Sequence, residues 1–246
     1  FGNYSGAIYK LDTRADQLKD GLEKIYESES NVSDLCVSDD NKWLAFGAAA
    51  IGDDGGELTV LSLKHNKVKN TVYDYYPFLG FQVNSIEFLA GKTLIYKNRN
   101  EGISKWNFNT RKPKVLLDKE IAAGFAVSED NRWCAYSTES SVYQFEIEDV
   151  TKQIDFKTDV ENPLKFLGAY ENTLLVEYPS GVKSWDLVDL KLEMVQEKFY
   201  EHDWYHRVYS KDLRFLGIGE DYGNIWFAGT FIYNTSNPAR LAGVTA

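Results

Sequence analysis

The sequence predicts an all-β protein assembled from repeated four-stranded sheets, and three observations lead to this. The segments Val37–Phe46 and Val127–Tyr136 are nearly the same, and each has an Asp/Asn-rich turn between two apolar runs. After each such hairpin, apolar and polar residues alternate as they do in half-buried strands. Weaker copies of the hairpin fill the rest of the chain, at 88–96, 166–176 and 209–218.

Each repeat opens with this hairpin. Asp and Asn side chains bond their own backbone and tolerate left-handed geometry, so clusters of them favour a turn between two strands. The predicted second strands begin at steps of 50, 40, 40 and 42 residues, at Trp43, Thr93, Trp133, Thr173 and Phe215. A regular step of this size indicates an internal repeat.

A third and a fourth strand are predicted after each hairpin. The third strands occupy 56–63, 102–108, 141–147, 181–187 and, near the end, 231–238. More polar fourth strands fit at 114–117 and 193–197. Four short strands about every 40 residues are typical of a β-propeller blade. The sequence therefore predicts a β-propeller of about six or seven four-stranded blades, forming a single domain over residues 1–246 of a longer chain.

The first blade is expected to be incomplete at the N-terminus. Phe1-Gly2 aligns with Phe46-Gly47, the end of a second strand, so Gly6–Leu11 should be a third strand. Residues 13–25 fit a short helix, although a fourth strand from Leu22 to Tyr26 is favoured. An open strand edge invites unwanted pairing. The missing strands are therefore expected from upstream sequence or, alternatively, by strand donation from a partner chain.

Two of the predicted third strands contain a short motif that is similar to one found in a known protein family. Trp185-Asp186 ends its strand as the Trp-Asp dipeptide does in WD40 repeats, and Trp106-Asn107 is a near match. The chain thus resembles a divergent WD40-type propeller, a WD-repeat-like family. The Gly-His pair that opens such blades is absent, so the family's buried Asp-His-Ser/Thr-Trp network does not carry over. A quinoprotein-like or other propeller fits almost as well.

Composition and charge disfavour several function classes. The formal net charge is -10, which opposes binding to nucleic-acid phosphates and favours a basic or mixed-charge protein partner. The sequence contains no apolar run of about 18 residues, the length of a membrane-spanning helix. Cys36 and Cys134 lie in predicted strands as small buried residues, and free thiols fit a reducing compartment. We therefore expect a cytoplasmic or nuclear protein that binds neither nucleic acid nor membrane directly.

Residues that commonly carry catalysis or bind metals form no convincing set. His202 and His206 are four apart, and in a strand they would lie about 13 Å apart, too far for one metal. Residues 53–56 lack the ordered oxygen ligands of a calcium loop. Asp40 and Asp130 belong to hairpin turns. We therefore predict no catalytic residue, no metal ligand and no cofactor, and the chain is not expected to be an enzyme.

Aromatic residues outside the repeat form the candidate site. Most aromatics recur at blade positions and belong to the expected core, but others fall in the links between blades or in the loop before the last third strand. Such segments emerge on one rim of a propeller, where Tyr and Trp would act as interface anchors. Alternatively, they fill the gaps between blades. The predicted partner-binding residues are Tyr75, Tyr76, Phe78, Trp204, Tyr205, Tyr222 and Trp226, and Tyr73 shares the first link.

These features favour a non-catalytic protein-interaction scaffold, a subunit of a larger complex that binds its partner through the aromatic rim. The alternative is a propeller enzyme of lactonase or hydrolase type with its site in the central channel. Residues at the start of the innermost strands would line that channel, and these vary from Ser33 to Ala123 to Arg207 without clustered ligands. A third interpretation is a sensor domain within a multidomain chain.

Overall fold

A computed structural model describes the chain over residues 6–11, 21–49, 56–75, 86–98, 100–121, 124–128, 130–138, 141–157, 165–170, 173–178, 181–186, 191–197, 205–209, 215–220, 230–234 and 241–243. The 22 regular elements within these ranges are all β-strands. Over the same ranges, no helix has the length and apolar character needed to cross a bilayer.

The chain divides into two compact units. Unit 1 comprises Phe1–Gly80 and Ser85–Glu120, and unit 2 comprises Phe81–Asn84 and Ile121–Ala246. The expectation of a single domain over residues 1–246 stays a prediction.

Unit 1 contains one two-stranded and two four-stranded antiparallel sheets. The first sheet pairs β1 (Ala7–Leu11) with β2 (Leu22–Glu27). The second sheet runs in chain order through β3 (Val32–Val37), β4 (Trp43–Ala49), β5 (Gly56–Ser62) and β6 (Lys67–Tyr75). The third sheet repeats this order with β7 (Ile86–Phe88), β8 (Thr93–Lys97), β9 (Ile103–Asn107) and β10 (Lys114–Leu117).

Unit 2 contains three four-stranded antiparallel sheets with the same strand order. The fourth sheet of the chain contains β11 (Phe125–Val127), β12 (Trp133–Ser137), β13 (Ser141–Glu146) and β14 (Asp149–Lys157). The fifth contains β15 (Lys165–Tyr170), β16 (Thr173–Tyr178), β17 (Gly181–Asp186) and β18 (Lys191–Glu197). The sixth contains β19 (Tyr205–Tyr209), β20 (Phe215–Glu220), β21 (Thr230–Asn234) and β22 (Leu241–Gly243).

The strand boundaries agree closely with the sequence-based predictions. The second strands of the five four-stranded sheets begin at the five predicted residues, from Trp43 to Phe215. The segment from Leu22 to Glu27 is a strand, so the helix alternative is wrong for these residues. The last third strand begins one residue earlier than predicted, and the described part of it ends at Asn234. Over the described residues, the chain is nearly all β and contains several four-stranded antiparallel sheets, as the sequence predicts.

Consecutive four-stranded sheets within each unit contact each other through their first strands. In unit 1, β3 contacts β7, and in unit 2, β11 contacts β15 and β15 contacts β19. Sheets in meander order that meet at their first strands are arranged as the blades of a propeller are. The number of blades and the closure of the ring stay predictions.

The core of unit 1 lies between its sheets, and β4 supplies both sides of it. Ala45 faces a cluster shared with the third sheet, whereas Leu44, Phe46 and Ala48 face a cluster shared with the first sheet. Successive side chains of a strand point to opposite faces, so one strand contributes to two interfaces. Trp106 is the largest fully buried side chain of the first cluster. Burial of each large apolar side chain stabilises the fold by roughly 1.5–3 kcal/mol.

The hairpin turn of the repeat has one geometry in both of its closest copies. The Trp43 amide donates to Ser38 Oγ at 3.0 Å, and Ser38 Oγ donates to Asp40 Oδ1 at 2.8 Å. Asn41 takes the left-handed conformation with φ of 54°, which Asn tolerates better than most residues. The same bonds recur in residues 128–133. This explains why the two turn sequences are so similar.

Candidate functional site

Tyr75 belongs to the core of unit 1. Its side chain is 0% exposed at the end of β6. The hydroxyl lies 3.1 Å from Ser33 Oγ, which in turn donates to the carbonyl of Gly47 at 3.2 Å. A Cβ built on Gly47 would lie 2.3 Å from the ring, so the tyrosine packs directly against the bare glycine backbone. The prediction that Tyr75 is a partner-binding residue on an exposed rim is therefore wrong.

Tyr73, two residues earlier on the same strand, is exposed. Its side chain is 70% accessible, whereas Val72 and Tyr75 are buried. In a regular strand Tyr73 and Tyr75 would share a face. Leu58 pairs with Val72 but Gly56 pairs with Tyr75, so β6 contains one more residue than β5 at this point. Such a β-bulge redirects side chains, and here it turns Tyr73 outward while Tyr75 stays in the core.

The other predicted partner-binding residues cannot be placed together with Tyr73. Tyr205 begins β19, where its backbone pairs with Glu220, and its side chain lies outside the described part of the structure. The rest of the predicted set also lies outside the described residues: Tyr76, Phe78, Trp204, Tyr222 and Trp226.

Carboxylates join the second and third sheets at the end of unit 1 where Tyr73 lies. Asp74 Oδ2 accepts a hydrogen bond from the Tyr96 hydroxyl at 3.0 Å. Asp34 Oδ2 accepts one from the backbone amide of Ile86 at 3.1 Å. Burial and the neighbouring Asp74 raise the pKa of Tyr96 well above its ordinary value, so the tyrosine stays a donor at neutral pH. The Asp74 bond ties β6, the strand that contains Tyr73, to β8, and the Asp34 bond ties β3 to β7.

The loop between β8 and β9 adds a second ordered element at this end. Asn98 Oδ1 accepts from the amides of Asn100 and Gly102 at 3.0 and 3.1 Å, and its Nδ2 donates to Ser104 at 2.9 Å. The backbone of Asn98 bridges that of Tyr75. Several side-chain hydrogen bonds and one backbone bridge therefore hold the residues around Tyr73 at this end of unit 1. We call Tyr73, together with Asp34, Asp74 and Asn98 at this end of unit 1, the Tyr73 rim.

Two acidic residues lie at the same end of unit 1 as Tyr73. Glu57 lies at the start of β5, and burial together with the nearby Glu29 raises its pKa. Glu101 follows the Asn98 turn and takes a left-handed conformation with φ of 61°. The rim therefore combines an exposed aromatic ring with negative charge, which suits contact with a basic or mixed-charge surface.

The residues predicted to line a central channel have no chemistry in common. Ser33 is engaged with Gly47 and Tyr75, as described above. Arg207 lies in β19 opposite Ile218, and residue 123 lies outside the described residues. Among the described side chains, no group of three or more His, Cys, Asp or Glu could hold a metal ion. Burial lowers the pKa of Lys97 in β8, while Glu101 and Glu120 oppose this change.

Comparisons with known proteins support the fold and nothing finer. No protein-family model and no curated protein matches the chain. A chain from a structural and mechanistic study of two prolyl endopeptidases is similar over 91% of this chain, with a TM-score of 0.64 and 12% identity. This chain spans only 36% of the length of that one. A chain from the crystal structure of the mitotic checkpoint complex is similar over 94% of this chain and 69% of its own length, with a TM-score of 0.62 and 12% identity. Both are propeller-like folds, and the sheets described above fit a β-propeller.

Proposed function

We propose that this chain is a WD40-like β-propeller of about six or seven blades that serves as a non-catalytic interaction scaffold in a larger complex. It binds a protein partner through the Tyr73 rim and the off-pattern aromatics of the neighbouring links. Tyr73 carries the proposal, because a Tyr that is 70% exposed between the buried Val72 and Tyr75 matches the residues that anchor interfaces.

Two further facts support the scaffold role. The Tyr73 rim is held by the bonds of Asp34, Asp74 and Asn98, so a partner would meet a preorganised surface, which lowers the entropy cost of binding. One structural neighbour is part of a multi-subunit checkpoint complex. The net charge of -10 and the acidic residues of the rim favour a basic or mixed-charge partner in the cytoplasm or nucleus.

Site-specific photo-crosslinking in the full-length protein tests this proposal. A photoreactive phenylalanine at position 73 should capture one reproducible protein partner in the native cell. The same probe at Gln153, an exposed residue of β14, should not capture that partner. Tyr73→Ala should reduce co-purification of the captured protein without changing the melting temperature. Crosslinks at position 73 that do not exceed those at position 153 would refute the proposal.

The alternative function is a propeller enzyme, and metal analysis distinguishes it from a scaffold. A similar chain comes from a study of prolyl endopeptidases, which are enzymes. A lactonase or hydrolase site in the channel would need a metal or a histidine. Metal analysis of the purified protein should find no stoichiometric calcium or zinc if the scaffold proposal is correct, and one bound ion per chain would favour the enzyme.

A further inference from the structure

Four turn segments of unit 1 carry an excess of positive charge. These segments are 38–42, 63–69, 89–93 and 107–114, and together they contain eight Lys and Arg but two Asp, in a chain whose net charge is -10. In a four-stranded meander, the turn between the first two strands and the turn between the last two lie at the same end of the sheet, opposite the Tyr73 rim. We call these four segments the basic turn surface.

Hydrogen bonds bring the four segments together. In the second sheet the Leu63 amide donates to the carbonyl of Lys42 at 2.9 Å, and in the third sheet the Phe108 amide donates to that of Lys92 at 3.1 Å. The two sheets are joined at this end by Asn70 of β6, whose Nδ2 donates to the carbonyl of Phe108 at 2.9 Å. Cations that are distant in sequence therefore form one surface.

The positive charge of this surface is largely uncompensated. Lys42 is paired with Asp40 at 2.9 Å. Lys92 lies over the Trp43 ring, 5.7 Å from its centroid. Within the described part of the chain, no ion pair involves the seven cations other than Lys42, which are Lys64, Lys67, Lys69, Lys92, Arg111, Lys112 and Lys114.

The fourth sheet provides an internal comparison. There, at the equivalent turns, Arg132 and Lys152 both bond to Glu146, at 3.1 and 2.8 Å. Glu146 pairs in register with the first residue of the second strand. The same register position is Ser62 in the second sheet and Asn107 in the third. The sequence of unit 1 thus lacks, at this position, the carboxylate that neutralises the turn cations of the fourth sheet.

Exposed apolar residues lie among these cations. Val68 of β6 is 47% exposed and Val115 of β10 is 51% exposed. Both strands are edge strands of their sheets. Lysines on an edge strand protect it from pairing with a strand of another chain. Exposed valines add nothing to that protection, so they need another explanation. An edge strand with apolar and cationic side chains suits an extended peptide that brings carboxylates and apolar residues.

We infer that the basic turn surface binds an acidic peptide segment of a partner protein, one that also carries apolar residues. A nucleic acid or an anionic membrane is disfavoured as the occupant, because the chain's overall negative charge repels large polyanions. A short peptide interacts chiefly with the charges of the basic turn surface itself, since the screening length is about 8 Å at physiological salt. This is a second surface beyond the Tyr73 rim, and its occupant has the opposite charge.

Selection from a random-peptide library on the full chain, followed by fluorescence anisotropy with the enriched peptides, tests the inference. The enriched peptides should combine Asp and Glu with Val, Leu, Ile or Phe. Their affinity should fall at least about tenfold in the triple variant K64E/K67E/K112E, because three attractive charges become repulsive. It should also fall when salt is raised from about 0.1 M to about 1 M, where the screening length drops from about 10 to 3 Å.

A matched variant controls for net charge. The substitutions K10E, K24E and K119E change the net charge equally on exposed residues of unit 1 outside the surface, and this variant should bind the peptides as the original chain does. Enriched peptides without acidic residues, equal binding by the two triple variants, or tighter binding of single-stranded RNA or anionic vesicles would overturn the inference. Crosslinking from position 73 should be unchanged in K64E/K67E/K112E. A failure of the peptide-binding inference can therefore be distinguished from a failure of the scaffold proposal.

Discussion

Replacing Tyr75 and Tyr73 in turn tests which of the two tyrosines belongs to the core. Tyr75 is 0% exposed, packs against Gly47 and belongs to the cluster that contains Trp106. Truncation of a buried aromatic side chain to alanine typically costs about 3–5 kcal/mol. Tyr73 is 70% exposed, and substitutions at such positions usually change stability by less than about 0.5 kcal/mol. We therefore expect Tyr75→Ala to destabilise unit 1 strongly and Tyr73→Ala to leave it almost unchanged.

Urea denaturation followed by tryptophan fluorescence measures the difference, because Trp106 reports on the same cluster. With a denaturant slope of about 3 kcal/mol per molar, Tyr75→Ala should lower the midpoint by about 1 M or more, and Tyr73→Ala by about 0.2 M or less. Tyr75→Phe removes only the hydroxyl bonded to Ser33 and should cost about 1 kcal/mol. An unchanged midpoint for Tyr75→Ala, or equal shifts for the two alanine variants, would refute the assignment of Tyr75 to the core.

Two further predictions concern the second sheet. Gly47→Ala places a methyl group 2.3 Å from the Tyr75 ring and should lower the free energy of unfolding by about 1–3 kcal/mol. The loss should be much smaller in a Tyr75→Leu background. Equal losses in both backgrounds would contradict the packing of Tyr75 against Gly47. Hydrogen bonds from Lys42 and then Ser38 lower the pKa of Asp40 from 3.8 to about 2, so its stabilising contribution is present above about pH 4 and is lost as the pH falls through about 2. Ser38→Ala should move this pKa back towards 3.8 in an NMR titration, and a pKa that stays near 2 would argue against the turn network.

The strand pattern was predictable because its determinants are local. A turn such as that of residues 38–43 is encoded by Ser, Asp and Asn side chains that bond to their own backbone, and the strands on either side follow a period of two. Both signals lie within about ten residues of each other. For this reason the first residues of the second strands, such as Trp43 and Trp133, could be located from the sequence to the residue.

The candidate surfaces were harder to predict because they depend on tertiary structure. Tyr73 and Tyr75 look equivalent in sequence, and it is the bulge opposite Glu57 that sends one to the surface and the other to the core. Bulges leave little trace in the alternation of residues. The basic turn surface likewise combines residues from turns as distant as Lys64 and Lys112, which the packing of two sheets and the bonds of Asn70 bring together.

A crystal structure of the full-length protein is the strongest test of the β-propeller assignment. We expect the four-stranded sheets of each unit to be arranged as propeller blades, with β3 beside β7 in unit 1, β15 between β11 and β19 in unit 2, and Tyr73 exposed. Two sheets stacked face to face as a sandwich, or a bound metal ion with catalytic side chains at the hub, would contradict it.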